Sequence, residues 1–91
     1  AVDDGRVHSI PDRSRLWRAQ TPQGFRVDIL RRAHEAALSD PDFVPTDDCG
    51  VVARYLTGVT IGVVPGRPEN IKVTYPEDLV VAEALWRQAN A

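Results

Sequence analysis

The sequence has no methionine, one cysteine, one lysine and no long apolar run, and each shortage narrows what the chain can be. Without a methionine no initiator is visible, so the 91 residues are expected to be a processed or partial copy of a longer protein. A lone cysteine, Cys49, can form neither an intramolecular disulfide nor a cysteine-based zinc site, which makes a reducing, cytoplasmic setting the expectation. No stretch approaches the roughly 20 apolar residues that cross a bilayer, and no signal-peptide pattern opens the chain, so no membrane partner is expected. A formal net charge of −2 and a pI near 5.6 argue against a nucleic-acid partner held by phosphate neutralisation. Also missing are a Gly-rich phosphate loop, a His/Asp/Glu metal cluster and a nucleophile beside a base.

What is present is arginine. Ten arginines stand against the single Lys72, and guanidinium groups recognise phosphate and carboxylate in a planar, bidentate way that ammonium does not. Seven of the eleven basic residues fall between Arg6 and Arg32, on or beside the stretch Leu16-Trp17-Arg18-Ala19-Gln20-Thr21-Pro22-Gln23-Gly24-Phe25. Pro22 lacks a backbone N–H and biases Thr21 towards an extended conformation, so this stretch is expected to end a strand and turn before a helix. With 43% hydrophobic and 26% charged residues, the chain fits one small domain, or part of a larger one, with a thin core.

Along the chain, Asp4-Gly5 between Val2 and Val7 is a hairpin signal. Almost nothing precedes Val2, so its partner strand is expected outside this sequence, and His8 reads as an exposed strand residue. Pro11 to Arg15 forms a charged turn in which Asp12 could orient a guanidinium and Arg13 is the candidate anion ligand. From Val27 to Leu38, Ile29, Leu30, Ala33, Ala37 and Leu38 repeat at helical spacing, with His34 on the polar side. Ser39 to Asp42 breaks that helix. Thr46 is expected to cap the next one, with Asp47 and Asp48 in its first turn and Val51, Val52, Tyr55 and Leu56 on its buried face. Capping accounts for the paired aspartates without a metal, and Cys49 has no histidine pattern to make it a nucleophile. Val59 to Val64 reads as a strand buried on both faces, and Asn70 to Thr74 as a second short strand. Lys72 in that second strand points either outward at a sheet edge or into an anion site. Thr74 and Glu77 match a capping box, and the last helix is expected to run to about Gln88 with Leu79, Ala82, Leu85 and Trp86 in the core. The order gives an α/β unit with too few strands for a complete sheet.

These residues make half of a site. Arg13 and Lys72 suit a phosphate, and Thr21 and Thr46 suit hydroxyl groups. Phosphoryl and nucleotidyl transfer depend largely on positioning and electrostatic stabilisation, so such residues can act without acid–base chemistry of their own.

Three motifs in this order carry a family resemblance: Arg13…Leu16-Trp17-x-Ala19-Gln20-Thr21-Pro22-Gln23-x-Phe25, then Thr46-Asp47-Asp48, then Gly66…Asn70-Ile71-Lys72-Val73-Thr74-x-Pro76-Glu77-Asp78-Leu79. Together they resemble the C-terminal part of the 2-C-methyl-D-erythritol 4-phosphate cytidylyltransferases of non-mevalonate isoprenoid biosynthesis. The resemblance implies an α/β fold, the C-terminal portion of a Rossmann-like nucleotidyltransferase with a protruding β-arm. Residues 1–91 would be part of a single domain, with 1–13 the return strand of a dimerisation arm and 14–91 sheet and helices. It also implies attack of the polyol phosphate on CTP, assisted by Mg²⁺, with release of pyrophosphate, and a homodimer in which Arg13 serves the partner's site. By motif position Arg13 and Lys72 are substrate-positioning and Thr21 and Thr46 substrate-binding. The nucleotide loop, the catalytic basic residues and the Mg²⁺ ligands would lie outside this segment, which alone is expected to be inactive.

Two other readings compete. A similar Gln-Thr-Pro-Gln stretch and Asn-Ile-Lys strand occur in ribitol-5-phosphate cytidylyltransferases; Trp17, Ala19 and Thr46-Asp47-Asp48 favour the erythritol enzyme, while Ile10-Pro11 leans towards the ribitol one. A non-catalytic dimerisation module would instead leave substrate affinity indifferent to Arg13 and Lys72.

Overall fold

Helical spacing of apolar residues creates the centre of the structure. The computed structural model describes all of residues 1–91. Helix α1 spans Val27–Leu38 and α2 spans Asp48–Tyr55. Ala33 and Ala37, one turn apart on α1, are small enough to let α2 approach, and they meet Val51 and Val52 in the only fully buried cluster of the chain. Phe25, Ile29, Leu30, Phe43, Tyr55, Leu56 and Val59 pack around these four at partial burial.

The two helices are tied at both ends. His34 Nε2 on α1 lies 2.9 Å from Asp48 Oδ1 at the start of α2. At the far end of α2, Tyr55 Oη donates to Asp40 Oδ2 at 2.7 Å, and the Arg54 guanidinium sits 3.5 Å from the same oxygen and 5.5 Å from the Tyr55 ring centroid. Asp40 also accepts from the Asp42 N–H at 2.9 Å, which turns the chain after α1. The Tyr55 hydroxyl bond, followed by the Asp42 N–H, holds the Asp40 carboxyl below its ordinary value, while burial and then Asp40 itself push the Tyr55 hydroxyl up. His34 thus faces a partner across the helix pair rather than solvent alone.

Cap chemistry differs from expectation by one residue at the starts of α2 and of the last helix. Asp47, not Thr46, is the N-cap of α2: its Oδ1 accepts from the Gly50 N–H at 2.8 Å. Helix α3 spans Pro76–Ala89, with Tyr75 as its N-cap residue. There Asp78, not Glu77, reaches back, accepting from the Thr74 N–H at 2.9 Å and the Tyr75 N–H at 2.8 Å. With Tyr75 rather than Thr74 as the N-cap, the third helical position falls on Asp78, and its carboxylate reaches back to both N–H groups.

Strands β1 (Val2–Asp3) and β2 (Arg6–Val7) pair antiparallel, Val2 opposite Val7 and Asp3 opposite Arg6. Asp4 and Gly5 adopt φ of 50° and 70°, the left-handed pair that a two-residue hairpin turn needs. The hairpin is therefore complete within the chain, contrary to the expectation that its partner lay elsewhere. Beyond β2, His8 lies outside the strand, although its N–H donates to the Ala1 carbonyl at 2.8 Å. Asp12 serves the following 3₁₀ turn, Arg13–Arg15, by accepting from the Ser14 N–H and hydroxyl, rather than orienting a guanidinium.

Neither Val59–Val64 nor Asn70–Thr74 forms a strand. A β-branched run makes a strand only when a neighbour completes its hydrogen-bond ladder, and no chain lies alongside. Val63 and Val64 are consequently 69% and 86% exposed. Helix α3 behaves alike: Trp86, expected in the core, is 66% exposed, and only Asp78, Ala82 and Leu85 are half-buried. The chain exposes 8390 Å², against about 5,300 Å² for a compact monomer of this mass. Its radius of gyration is 17.1 Å, against about 12 Å for a compact domain of this length. The thin core is thus confined to α1 and α2, with extended segments and α3 arranged around it. No helix is long and apolar enough to cross a membrane.

Candidate functional site

The Gln20-Thr21-Pro22-Gln23 stretch forms no regular element, so its backbone groups find no ladder and its side chains supply the ties. The Thr21–Pro22 peptide is cis. Gln20 and Gln23 are the half-buried members, while Thr21 and Pro22 are exposed between them. Gln20 Nε2 donates to the Arg67 carbonyl at 2.7 Å and to the Asn70 carbonyl at 3.1 Å. Asn70 returns the contact, its Nδ2 donating to the Thr21 carbonyl at 2.8 Å. On the other side Gln23 Nε2 donates to Asp47 Oδ2 at 2.9 Å, and Gln23 Oε1 accepts from the Cys49 N–H at 3.2 Å.

One short stretch therefore joins two distant parts of the chain, the 67–70 loop that leads into Lys72 and the start of α2 that follows Thr46. Three of the four candidate residues, Thr21, Thr46 and Lys72, lie on or within two residues of these ties. Arg13 does not: it sits in the 3₁₀ turn after the hairpin, exposed, and enters none of the five ion pairs. Lys72 is likewise exposed and unpaired, leaving its ammonium free for an anion.

The glycines mark the close approaches. A Cβ on Gly66 would run into Gln20 Oε1, so a side chain there would displace the Gln20 amide. At Gly50 a Cβ would come within 2.6 Å of Thr46 Oγ1 and 3.0 Å of Asp47 Oδ1, which places the Thr46 hydroxyl over the first turn of α2. That hydroxyl contacts the Asp47 carbonyl at 3.3 Å.

Electrostatically the group has two ends. Towards α2, the Gln23 amide first, then the Gly50 N–H, hold the Asp47 carboxyl below its ordinary value, so it stays ionised beside Thr46. Towards the 67–74 segment stands Lys72. A phosphate is favoured at the lysine end and disfavoured near Asp47 and Asp48, whereas neutral hydroxyls fit the threonine end. No three His, Cys, Asp or Glu side chains converge to hold a metal ion. Asp47 is engaged by Gly50 and Gln23, and Asp48 by His34, so these residues do not fit a Mg²⁺ site. Two surface hollows, one beside the hairpin and one between the 67–70 loop and the end of α3, contain none of the four candidates. Each of the four candidates is exposed.

From sequence, Gln20, Gln23, Gly66 and Asn70 carry no site role, and Asp47 only one in starting α2. Their signal was present in the motifs, but amide partners separated by 24 to 50 residues cannot be paired from spacing.

The family model of 2-C-methyl-D-erythritol 4-phosphate cytidylyltransferase (IspD) matches residues 1–88. The enzyme of that name from Thermobifida fusca is 54% identical over 81 residues, covering 89% of this chain and 32% of its own length. The Bifidobacterium longum protein of the same name is 47% identical over 79 residues, 87% of this chain and 27% of its own length. The Geotalea uraniireducens one is 44% identical over 90 residues, 99% of this chain and 37% of its own length. No solved structure matches. The chain thus spans about a third of the length of these relatives, and all three motifs noted in the sequence fall within the matched residues. The chain belongs to the 2-C-methyl-D-erythritol 4-phosphate cytidylyltransferase family.

Proposed function

We propose that the polypeptide carrying this segment transfers a cytidylyl group from CTP to 2-C-methyl-D-erythritol 4-phosphate, and that residues 1–91 supply the polyol-phosphate side of the site. The observation that carries this reading is the tie made by Gln20 and Gln23, which links the Thr21 stretch to the segments next to Thr46 and Lys72 in a chain of this family. In the reaction a phosphate oxygen of the polyol phosphate attacks the α-phosphorus of CTP. A new P–O bond forms, the bond to the β-phosphate oxygen breaks, and pyrophosphate leaves with that electron pair.

In this reading Lys72 holds the phosphate of the polyol through its unpaired ammonium, and the hydroxyls of Thr21 and Thr46 bind the polyol. Arg13 is exposed and enters none of these ties, which leaves it free for a role at the site of a second copy, reached by the hairpin as a dimerisation arm of a Rossmann-like domain. Mg²⁺, implied by the family resemblance, would take its ligands from outside these residues, and no step here is assigned to it. The setting is cytoplasmic. Positioning dominates catalysis of this kind, so the segment contributes by orientation and charge rather than by proton transfer.

The test is substrate titration of the full-length polypeptide with Lys72→Ala and Arg13→Ala. Loss of a charged contact to phosphate is expected to weaken polyol-phosphate binding by about tenfold or more. Unchanged affinity in both variants would contradict the assignment.

A further inference from the structure

A glutamine side chain offers one acceptor and two donors, and Gln23 places its acceptor and one donor on the same short stretch of chain. Its Oε1 takes the Cys49 N–H at 3.2 Å and its Nε2 donates to Asp47 Oδ2 at 2.9 Å. Asp47 divides its carboxylate accordingly: Oδ1 caps α2 through the Gly50 N–H at 2.8 Å, and Oδ2 is left for Gln23. The cap needs only Oδ1, so the second contact is not required to start the helix. What it does is join the Thr21 segment to the Thr46 segment, and the two Gln23 contacts are the only hydrogen bonds that do so. Pro22 has a ring-fixed φ, leaving little play between Thr21 and Gln23. On the other side Thr46 immediately precedes Asp47, with its hydroxyl against the Asp47 carbonyl and over Gly50.

From this geometry we infer that Gln23 is a positioning residue: clamped on Asp47 and the Cys49 N–H, it sets the spacing of the Thr21 and Thr46 hydroxyls that receive the polyol. The inference rests on the polyol-phosphate reading above. Gln23 touches neither substrate nor the reacting atoms. The threonines it spaces bind a ground state and transition state alike, so its loss should appear in KM for the polyol phosphate and spare CTP.

The chemistry of the clamp allows an exchange of its two groups. Gln23→Glu alone sets two carboxylates against each other. Asp47→Asn alone sets two carboxamides together, so that a donor must face a donor in one of the contacts. In the double variant the new carboxylate at position 23 accepts from both the Cys49 N–H and the new carboxamide at position 47, whose oxygen still caps Gly50. Every contact is regained, with donor and acceptor reversed only between positions 23 and 47.

The experiment compares the full-length wild-type polypeptide, Gln23→Glu, Asp47→Asn and the double exchange, using CTP and 2-C-methyl-D-erythritol 4-phosphate, with circular dichroism to establish folding. Each single variant is expected to raise KM for the polyol phosphate by about tenfold and leave KM for CTP within about twofold, and the double exchange should return the polyol-phosphate KM to within about twofold of wild type. If a single variant does not fold, the double exchange is compared with wild type directly under the same criterion. Single variants with unchanged polyol-phosphate KM, equal effects on both substrates, or a double exchange no better than the poorer single variant would overturn the inference while wild-type turnover left the proposed function standing. Absence of wild-type turnover would remove that function, and the inference with it.

Discussion

Tyr55 Oη donates to Asp40 Oδ2 at 2.7 Å, closing the far end of the helix pair over the turn at Asp40-Pro41-Asp42. Removing the hydroxyl with Tyr55→Phe should lower the melting temperature and leave the helix content intact. Asp40 titrates below 3.8 when folded, so the stability it contributes is present above that value and is lost as pH falls through the depressed one. Tyr55 is raised above 10.0, so its contribution is present below that value and lost as pH rises through the elevated one. The difference between wild type and Tyr55→Phe should therefore be largest between about pH 4 and pH 10 and narrow at both extremes. Thermal melts across that range measure it; a difference independent of pH would contradict the pairing.

The core is as small as it is specific. Val52 is fully buried in the cluster with Ala33 and Ala37, whereas Val63 stands open to solvent. Val52→Ala should cost about 2 kcal/mol, from two buried carbon groups plus a partly collapsed cavity. Val63→Ala should stay within about 0.5 kcal/mol. Urea unfolding of both variants compares them directly, and equal effects would place the core elsewhere.

Glycine at position 66 leaves room for the Gln20 amide. Gly66→Ala is expected to push the Gln20 amide off the Arg67 and Asn70 carbonyls, because the added methyl meets Gln20 Oε1. Gly62→Ala, with open space around it, is the control. The side-chain amide resonances of Gln20 should shift in the first variant and not in the second. Identical spectra would show that the loop yields instead.

At Gly50 two effects oppose each other. Alanine in a helix normally gains about 1 kcal/mol over glycine. Here its methyl would press on Thr46 Oγ1 at 2.6 Å and on Asp47 Oδ1 at 3.0 Å, the second of them held by the α2 cap. Gly50→Ala is expected to gain no stability in thermal unfolding and to raise KM for the polyol phosphate. A clear stabilisation with unchanged KM would show that the Thr46 side moves freely.

Several features were legible in the sequence because their causes are local. Helix α1 has the expected bounds, the Asp4-Gly5 turn has the expected conformation, and Val51 and Val52 face inward, all from periodicity and turn chemistry. The caps were displaced because Thr46 and Asp47 are both competent and only the N–H of Gly50 chooses between them. Val59–Val64 was read from β-branching alone, yet a strand depends on a partner that local sequence does not supply, and Trp86 was assigned to a core for the same reason. For the proposed site, residue types and motif position point to Arg13, Thr21, Thr46 and Lys72, while the amides that tie the Thr21 stretch to the Thr46 and Lys72 segments emerge only from long-range pairing.

The central claim is that this segment provides the polyol-phosphate side of a cytidylyltransferase, and the most direct test is pyrophosphate release by the full-length polypeptide given CTP with 2-C-methyl-D-erythritol 4-phosphate or with ribitol 5-phosphate. Turnover with the erythritol substrate, weakened at low substrate by Lys72→Ala through a raised KM, is the predicted result. Turnover with ribitol 5-phosphate alone, or none with either, would contradict it.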